Sequence, residues 1–156
     1  MADAPTGLPP ARDDGSERCR SRRVLVADDN VDAADTIALL LSTVGCDVHT
    51  VYGGEDAVRA ADRFRPEIAL LDLGMPDLDG WEVCRRIRAQ TWGAGIRIVA
   101  LTGWGCDDDR LHTAIAGFDE HVVKPADPDA VIRLVRDAPS RQVPLTAVRL
   151  TTTPAD

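Results

Sequence analysis

Short apolar runs alternate with segments of helical periodicity through the middle of the chain. The runs cover residues 24–27, 46–51, 68–71, 96–101 and 121–123. Most of them lack a regular polar face, which is typical of strands buried on both faces of a parallel sheet. Between and after them, apolar residues recur at helical spacing over 31–44, 57–64, 79–87, 107–117 and 127–137. The pattern therefore predicts five strands, each followed by a helix.

Several predicted helix boundaries carry residues that begin or end helices. Gly45 follows the first helix as a C-cap. Asp79 and Glu82 form a variant of the capping box at the start of the third helix. Asp127 and Pro128 are suited to the N-cap and first position of the fifth helix.

Five such units predict an α/β fold with one doubly wound (βα)5 domain, in which a five-stranded parallel sheet carries helices on both faces. We place this domain at residues 23–138. Residues 1–22 are rich in Pro, Gly, Asp, Arg and Ser, and we expect a disordered arm. Residues 139–156 are expected to form an irregular tail, and we expect no output domain.

The charge is unevenly distributed along the 156 residues. The whole chain carries a net charge of −8, while residues 1–23 and 139–156 each carry +1, so residues 24–138 carry −10. This balance disfavours binding to nucleic acid or to an anionic membrane, since both need clustered positive charge. No apolar stretch is long enough to span a bilayer and no secretory signal is visible, so we expect a cytoplasmic protein. The four cysteines show no metal-binding spacing.

Polar residues follow four of the five predicted strands. Asp28 and Asp29 follow the first strand, Asp72 the third, Thr102 the fourth and Lys124 the fifth. Any one of these is more often a cap or turn residue than a functional group. Ligand sites in such sheets lie beyond the carboxyl ends of the strands, so the five side chains are expected to converge at one edge.

The chemistry of this set is that of phosphoryl transfer. Clustered carboxylates stay ionised when a cation neutralises them, and oxygen ligands favour Mg²⁺. A lysine and a threonine hydroxyl would contact phosphoryl oxygens, with a carboxylate as nucleophile. Lys124 is the single lysine of a chain with 17 arginines, which favours a specific role for an ammonium group at this strand end.

These segments together resemble the receiver domain of response regulators, the CheY-like family, over about residues 23–137. The resemblance is carried by the following segments in this order: Leu25-Val26-Ala27-Asp28-Asp29-Asn30, Leu70-Leu71-Asp72-Leu73-Gly74-Met75-Pro76-Asp77-Leu78-Asp79-Gly80, Ala100-Leu101-Thr102-Gly103 and Val123-Lys124-Pro125. It implies a flavodoxin-like sheet with strand order 2-1-3-4-5.

The resemblance also implies a role for each site residue. Asp72 would be the phosphoacceptor. Asp29, Asp72 and the backbone carbonyl of Gly74 would bind Mg²⁺ directly, and Asp28 would act largely through water. Thr102 and Lys124 would contact the phosphoryl oxygens, and the bond between Lys124 and Pro125 would be cis.

Three positions depart from the common pattern of the family. Gly74 lacks a side chain that could align a hydrolytic water, and Trp104 is placed to cover the site. We therefore expect slow hydrolysis of the phosphoryl group. His121 occupies the switch position on the fifth strand, where Tyr or Phe is frequent; its alternative role is that of a half-buried histidine at the rim.

The resemblance implies a phosphoacceptor signalling domain and not an enzyme. Its partners would be a histidine kinase or phosphotransfer protein and a downstream protein that contacts the face formed by the fourth helix, fifth strand and fifth helix. The segment Leu101–Gly105 is similar to stand-alone or hybrid-kinase receivers, which leaves a phosphate sink or relay open. A Mg²⁺-dependent aspartyl phosphatase is a weaker alternative, because its D-x-D signature is missing. A non-phosphorylated interaction module is disfavoured by the complete set of site residues.

Overall fold

The computed structural model describes residues 22–103 and 116–137, and these residues form five strands, four α-helices and one 3-10 helix. The strands are β1 (Arg23–Ala27), β2 (Asp47–Val51), β3 (Ile68–Asp72), β4 (Arg97–Thr102) and β5 (Glu120–Val123). The α-helices are α1 (Val31–Thr43), α2 (Gly54–Phe64), α3 (Gly80–Arg88) and α4 (Pro128–Asp137), and the 3-10 helix is Thr91–Gly95.

All strand pairs are parallel and the sheet has the order β2-β1-β3-β4-β5. This confirms the predicted doubly wound sheet and its order. The first strand lies between β2 and β3, so β1 and β3 are neighbours near the centre of the sheet. Their carboxyl ends, which carry Asp28 and Asp72, therefore lie side by side.

Alternate residues of the central strands pack against opposite layers of helices. Leu25 and Leu71 belong to the cluster that α2 and α3 complete, whereas Val26 and Leu70 belong to the cluster that α1 and α4 complete. Every residue of β3 is buried. The absence of a polar face in the strand sequences is thus explained by helices on both sides of the sheet.

Capping residues mark the helix boundaries, and two of them, Gly45 and Asp79, were identified in the sequence. The Asn30 side chain accepts a hydrogen bond from Ala33 N at the start of α1, and Gly45 has φ +92° after its end. The Asp79 side chain accepts from Glu82 N at 2.8 Å at the start of α3. A positive φ is the backbone conformation in which glycine is favoured over other residues.

One described element was not predicted, and three predicted segments lie wholly or almost wholly outside the described residues. The 3-10 helix between α3 and β4 has no clear sequence pattern. The predicted fourth helix falls almost wholly outside the described residues, as do the N-terminal arm and the C-terminal tail, and α4 is the helix predicted as the fifth. Among the described helices, none combines the length and hydropathy of a membrane span.

Candidate functional site

Three carboxylates meet at the carboxyl ends of β1 and β3. Atoms from Asp28, Asp29 and Asp72 all lie within 4.8 Å of one another. Asp28 is fully buried and Asp72 is 6 % exposed, whereas Asp29 is exposed. The parallel pairing of the two strands creates this cluster, because it brings together residues that are more than forty positions apart in sequence.

Lys124 neutralises part of the cluster. Its Nζ lies 2.8 Å from Asp28 Oδ2 and 3.1 Å from Asp72 Oδ1. The lysine follows β5, and its backbone N–H donates to the carbonyl of Thr102 at 2.6 Å, which holds the lysine beside the end of β4. Burial alone would lower the pKa of Lys124, but the two carboxylates raise it above its ordinary value. The ammonium group therefore stays charged.

Asp72 is held as a carboxylate by its neighbours. Burial alone would raise its pKa, but a hydrogen bond from Gly74 N at 3.1 Å and the contact with Lys124 bring the pKa below its ordinary value. The exposed carboxylate of the cluster, Asp29, has a raised pKa because of its contact with Asp72, a slight loss of solvation and the repulsion from Asp72 and Asp28. The crowding of the carboxylates thus disfavours ionisation of Asp29, while Gly74 N and Lys124 favour that of Asp72.

The donor set fits Mg²⁺. Three carboxylates and one ammonium group leave a net charge of about −2 when all are ionised, and every available ligand atom is an oxygen. A hard divalent cation would neutralise this charge and reverse the rise in the pKa of Asp29. Asp28, Asp29, Asp72 and the carbonyl of Gly74 are the groups that would hold it.

A small cleft lies beside Asp72. Its volume is about 300 Å³ and its lining includes Gly74, Trp81, Thr102 and Gly103. Thr102 is 4 % exposed, and a Cβ at Gly103 would meet no atom of the other described residues within 4 Å, its chain neighbours apart. Within the described part of the chain, and apart from its chain neighbours, a Cβ at Gly74 would approach only Asp72 Oδ1, at 3.9 Å. The acceptor carboxylate is therefore reached through an opening bordered by two glycines.

A larger cavity also borders Lys124. It measures about 630 Å³ and lies between the start of α1 and the segment after β5, with Asp32, Ile37 and Pro125 in its wall. Lys124 and Gly103 line both cavities, and each cavity also reaches a carboxylate of the cluster, Asp28 in the larger and Asp72 in the smaller.

The other residues predicted for the site are Pro125, His121 and Trp104. The Lys124–Pro125 peptide bond is cis. His121 is half-buried on β5, in register with Ala100 of β4, and it is not part of the wall of either cavity. Trp104 lies outside the described residues. Of the predicted set, the structure brings together Asp28, Asp29, Asp72, Gly74, Thr102 and Lys124.

Asp77, in the loop between β3 and α3, has a role that no sequence pattern indicated. Its Oδ1 accepts from Gly54 N at 3.0 Å and its Oδ2 accepts from Glu55 N at 3.1 Å. It therefore caps α2 from a distant part of the chain. Helix α2 begins after Gly53, which has no side chain to cap it, and that absence was the available signal.

Comparison with known families gives the class of the protein. The chain belongs to the response regulator receiver domain family, whose model matches residues 24–136, and receiver domains of this kind act in two-component signalling with histidine kinases and downstream targets. The family assignment confirms the resemblance drawn from the sequence.

Individual relatives add detail to this assignment. An uncharacterized 14.6 kDa protein of Leptolyngbya boryana is 32% identical over 113 residues, which are 72% of this chain and 86% of that protein. The DNA-binding dual master transcriptional regulator RpaA of Synechocystis is 31% identical over 73% of this chain and 47% of its own length. The chain thus spans about half the length of the DNA-binding relatives it matches.

Among solved structures, the receiver domain of sensor histidine kinase PA1611 from Pseudomonas aeruginosa is similar to this chain. It has a TM-score of 0.70 and 32% sequence identity, and the match covers 75% of this chain and 96% of that domain. That crystal structure has a magnesium ion coordinated in its active-site cleft.

Proposed function

We propose that this receiver domain accepts a phosphoryl group on Asp72 in the presence of Mg²⁺ and signals through protein contacts. The observation that carries the proposal is the position of Lys124 Nζ, which bridges the buried Asp28 and the carboxylate of Asp72 at the mouth of an open cleft. A purely structural ion pair would not need Thr102, Gly74 and Gly103 around the same carboxylate.

The reaction is a transfer between two nucleophiles. Asp72 Oδ attacks phosphorus, an O–P bond forms, and the N–P bond to the imidazole of a phosphohistidine donor breaks. The electron pair of the broken N–P bond stays on the imidazole nitrogen, and the imidazole leaves in its neutral form, taking a proton from solvent where it needs one. Asp72 is suited to attack because the hydrogen bond from Gly74 N and the contact with Lys124 offset the burial that would otherwise raise its pKa, so the group stays a carboxylate.

Each neighbour of Asp72 has a separate task in this proposal. Lys124 and the hydroxyl of Thr102 would contact oxygens of the transferred group and spread its charge. Mg²⁺, when bound, would supply positive charge to the phosphoryl oxygens. Asp28 keeps Lys124 in place through the 2.8 Å contact between Oδ2 and Nζ.

The output is proposed to be a protein surface and not a nucleic acid. The net charge of −10 over residues 24–138 supports this, since the phosphate backbone of nucleic acid would be repelled. The face formed by β5, α4 and the predicted fourth helix is the proposed contact surface, with His121 as its switch residue. The domain would take up one phosphoryl group per chain and would not act as an enzyme on any other substrate. We propose that it does so in the cytoplasm.

The central test is phosphoryl uptake. The chain is incubated with acetyl phosphate and Mg²⁺, and intact mass is measured. The wild type should gain one phosphoryl group and Asp72→Asn should gain none. Asp47→Asn, which changes an exposed carboxylate at the opposite end of the sheet, is the matched control and should gain one. Equal uptake by Asp72→Asn, or no uptake by the wild type, would contradict the proposal.

A relay or phosphate sink for a kinase is a second candidate. The similarity to the receiver domain of a sensor histidine kinase, at 32% identity, favours it. A relay should pass its phosphoryl group from Asp72 to a histidine phosphotransfer protein, whereas a terminal regulator should lose it only to water. Labelled phosphate followed on both proteins separates the two candidates.

A further inference from the structure

The loop between Asp72 and α3 is fastened to α2 by one carboxylate. Asp77 accepts two backbone hydrogen bonds, from Gly54 N at 3.0 Å and from Glu55 N at 3.1 Å. These are N–H groups of the first turn of α2, which have no partner within their own helix. Asp77 therefore supplies, across more than twenty residues of sequence, a cap that α2 does not supply for itself.

The two segments are also in close contact. A Cβ at Gly54 would lie 2.1 Å from the carbonyl oxygen of Leu78, and a Cβ at Gly53 would lie 3.1 Å from Asp77 Oδ2. Only glycine at residue 54 allows the loop to approach this closely. Leu78 packs against the core cluster of the α2 and α3 layer, so the loop has little freedom to move away.

The same loop begins at the acceptor. Gly74 N donates to Asp72 Oδ1 at 3.1 Å, and the Gly74 carbonyl is the backbone group that would face the cation. Asp77 is three residues further along. Residues 73–79 are thus fixed at one end by Asp72 and in the middle by α2, and the position of Gly74 depends on both attachments.

We infer that Asp77 is a positioning residue for the cation site: by capping α2 it holds the loop that carries Gly74 in the place where its carbonyl completes the carboxylate cluster. The inference rests on the proposed function, because it assumes that the cluster binds Mg²⁺. The coupling also acts in the opposite direction. Occupation of the site by Mg²⁺ stabilises the loop, and therefore strengthens the hydrogen bonds of Gly54 and Glu55 to Asp77.

The first test measures Mg²⁺ affinity without any reaction. Mg²⁺ is titrated into the labelled chain, and the Kd is taken from the amide NMR shifts of residues 72–74. Substituting a residue that positions a metal ligand without binding the metal lowers metal affinity by about 10- to 100-fold. We therefore expect Asp77→Asn to raise the Kd for Mg²⁺ about tenfold, and Asp77→Ala to raise it at least as much. Asp119→Asn is the matched control, because Asp119 lies at the amino end of β5 and pairs there with Arg88. Its Kd should stay within about twofold of the wild type.

The second test measures hydrogen exchange of the Gly54 and Glu55 amides. Saturating Mg²⁺ should slow their exchange in the wild type by about the factor found for the Kd, because the coupling is reciprocal. The same addition should leave the exchange of Ala89 N, at the end of α3, unchanged. In Asp77→Asn the Mg²⁺ effect on the two amides should be lost.

The outcomes separate this inference from the proposed function. If the wild type binds Mg²⁺ and Asp77→Asn binds it equally well, Asp77 is only a helix cap and the inference is wrong, while the proposed function stands. An equal loss of affinity in Asp119→Asn would also overturn it, since general destabilisation would then explain the change. If the wild type binds no Mg²⁺, both fail.

Discussion

Lys124 Nζ lies 3.1 Å from Asp72 Oδ1, and this contact joins the segment after β5 to the end of β3 across the whole width of β4. The lysine also contacts Asp28, which is fully buried. A single ammonium group therefore compensates two carboxylates from two strands. The stability of the site and its affinity for a cation both depend on that one side chain.

Replacing this lysine should destabilise the fold and strengthen cation binding. Lys124→Met leaves Asp28 buried without a positive partner, which should cost about 1–3 kcal/mol in the free energy of unfolding without Mg²⁺. Mg²⁺ should restore part of that loss and bind more tightly than to the wild type, because a competing positive charge has gone. Urea unfolding with and without Mg²⁺ measures both effects.

Arg63→Met is the control for net charge, since Arg63 is exposed on α2. It should change neither the unfolding free energy nor the Mg²⁺ affinity by a comparable amount. A Lys124→Met variant as stable as the wild type without Mg²⁺ would show that Asp28 needs no partner.

The lifetime of the phosphorylated form should respond to residue 74. Gly74 has space for a side chain on the side of the described residues, because Asp72 Oδ1, at 3.9 Å, is the one atom among them, chain neighbours apart, that a Cβ there would approach. Gly74→Gln places an amide beside the acceptor, where it can orient a water for attack on phosphorus, and hydrolysis should speed up by about tenfold or more. The loss of the phosphoryl group after removal of the donor is followed by intact mass. A lifetime of seconds in the wild type, or no change in the variant, would contradict slow hydrolysis caused by Gly74.

Asp77 should make stability depend on pH at the acid end. Its pKa is lowered in the folded protein by the hydrogen bonds from Gly54 and Glu55. The stabilisation is therefore complete above the ordinary aspartate pKa of about 3.9 and is lost as the pH falls through the folded value. The difference in unfolding free energy between wild type and Asp77→Asn should be constant from pH 7 to about pH 5 and should shrink below about pH 4. A difference that grows on acidification would exclude this role of the carboxylate.

Arg88 should be a main contributor to stability at the amino end of the sheet. Its guanidinium donates to the carbonyls of Gly117, Gly93 and Ile96 and pairs with Asp119 at 2.8 Å. The side chain is only 13 % exposed, so Arg88→Ala leaves buried acceptors without donors and should cost about 2–4 kcal/mol. Thermal or urea unfolding measures the loss.

Arg88→Ala should leave the Mg²⁺ affinity nearly unchanged, because the contacts of Arg88 lie at the end of the sheet away from Asp72. Arg88→Lys tests geometry, since a lysine keeps the charge but cannot reach the same acceptors together. If Arg88→Ala lowered the free energy of unfolding by no more than a typical surface substitution does, water would be replacing the hydrogen bonds of the guanidinium.

The sheet and the core of the site were predictable because both follow from local patterns. Apolar runs mark the strands, and in a parallel sheet the residues just after them share one edge, so Asp28, Asp72 and Lys124 had to lie near each other. Asn30 and Asp79 cap helices that begin within three residues of them, which is a signal that sequence carries directly.

Other contacts could not be predicted, since they join residues that only the folded chain brings together. Asp77 is one of two acidic residues in its loop, and nothing nearby in sequence marks it as the cap of α2. Arg88 is one of three arginines in α3, and only the packing of the 3-10 helix and the turn at Gly117 distinguishes it. The predicted roles of His121 and Trp104 stay predictions.

The open space at Gly103 makes this residue a favourable place for a chemical reporter. Among the described residues, apart from its chain neighbours, none has an atom within 4 Å of a Cβ at this position, although Gly103 directly follows Thr102 and borders the cleft. A cysteine at residue 103 would carry a small fluorophore at the rim, and Cys46 and Cys84 are buried away from reagent. With Cys19 and Cys106 replaced by serine, such a label would follow the arrival and departure of a partner protein in real time.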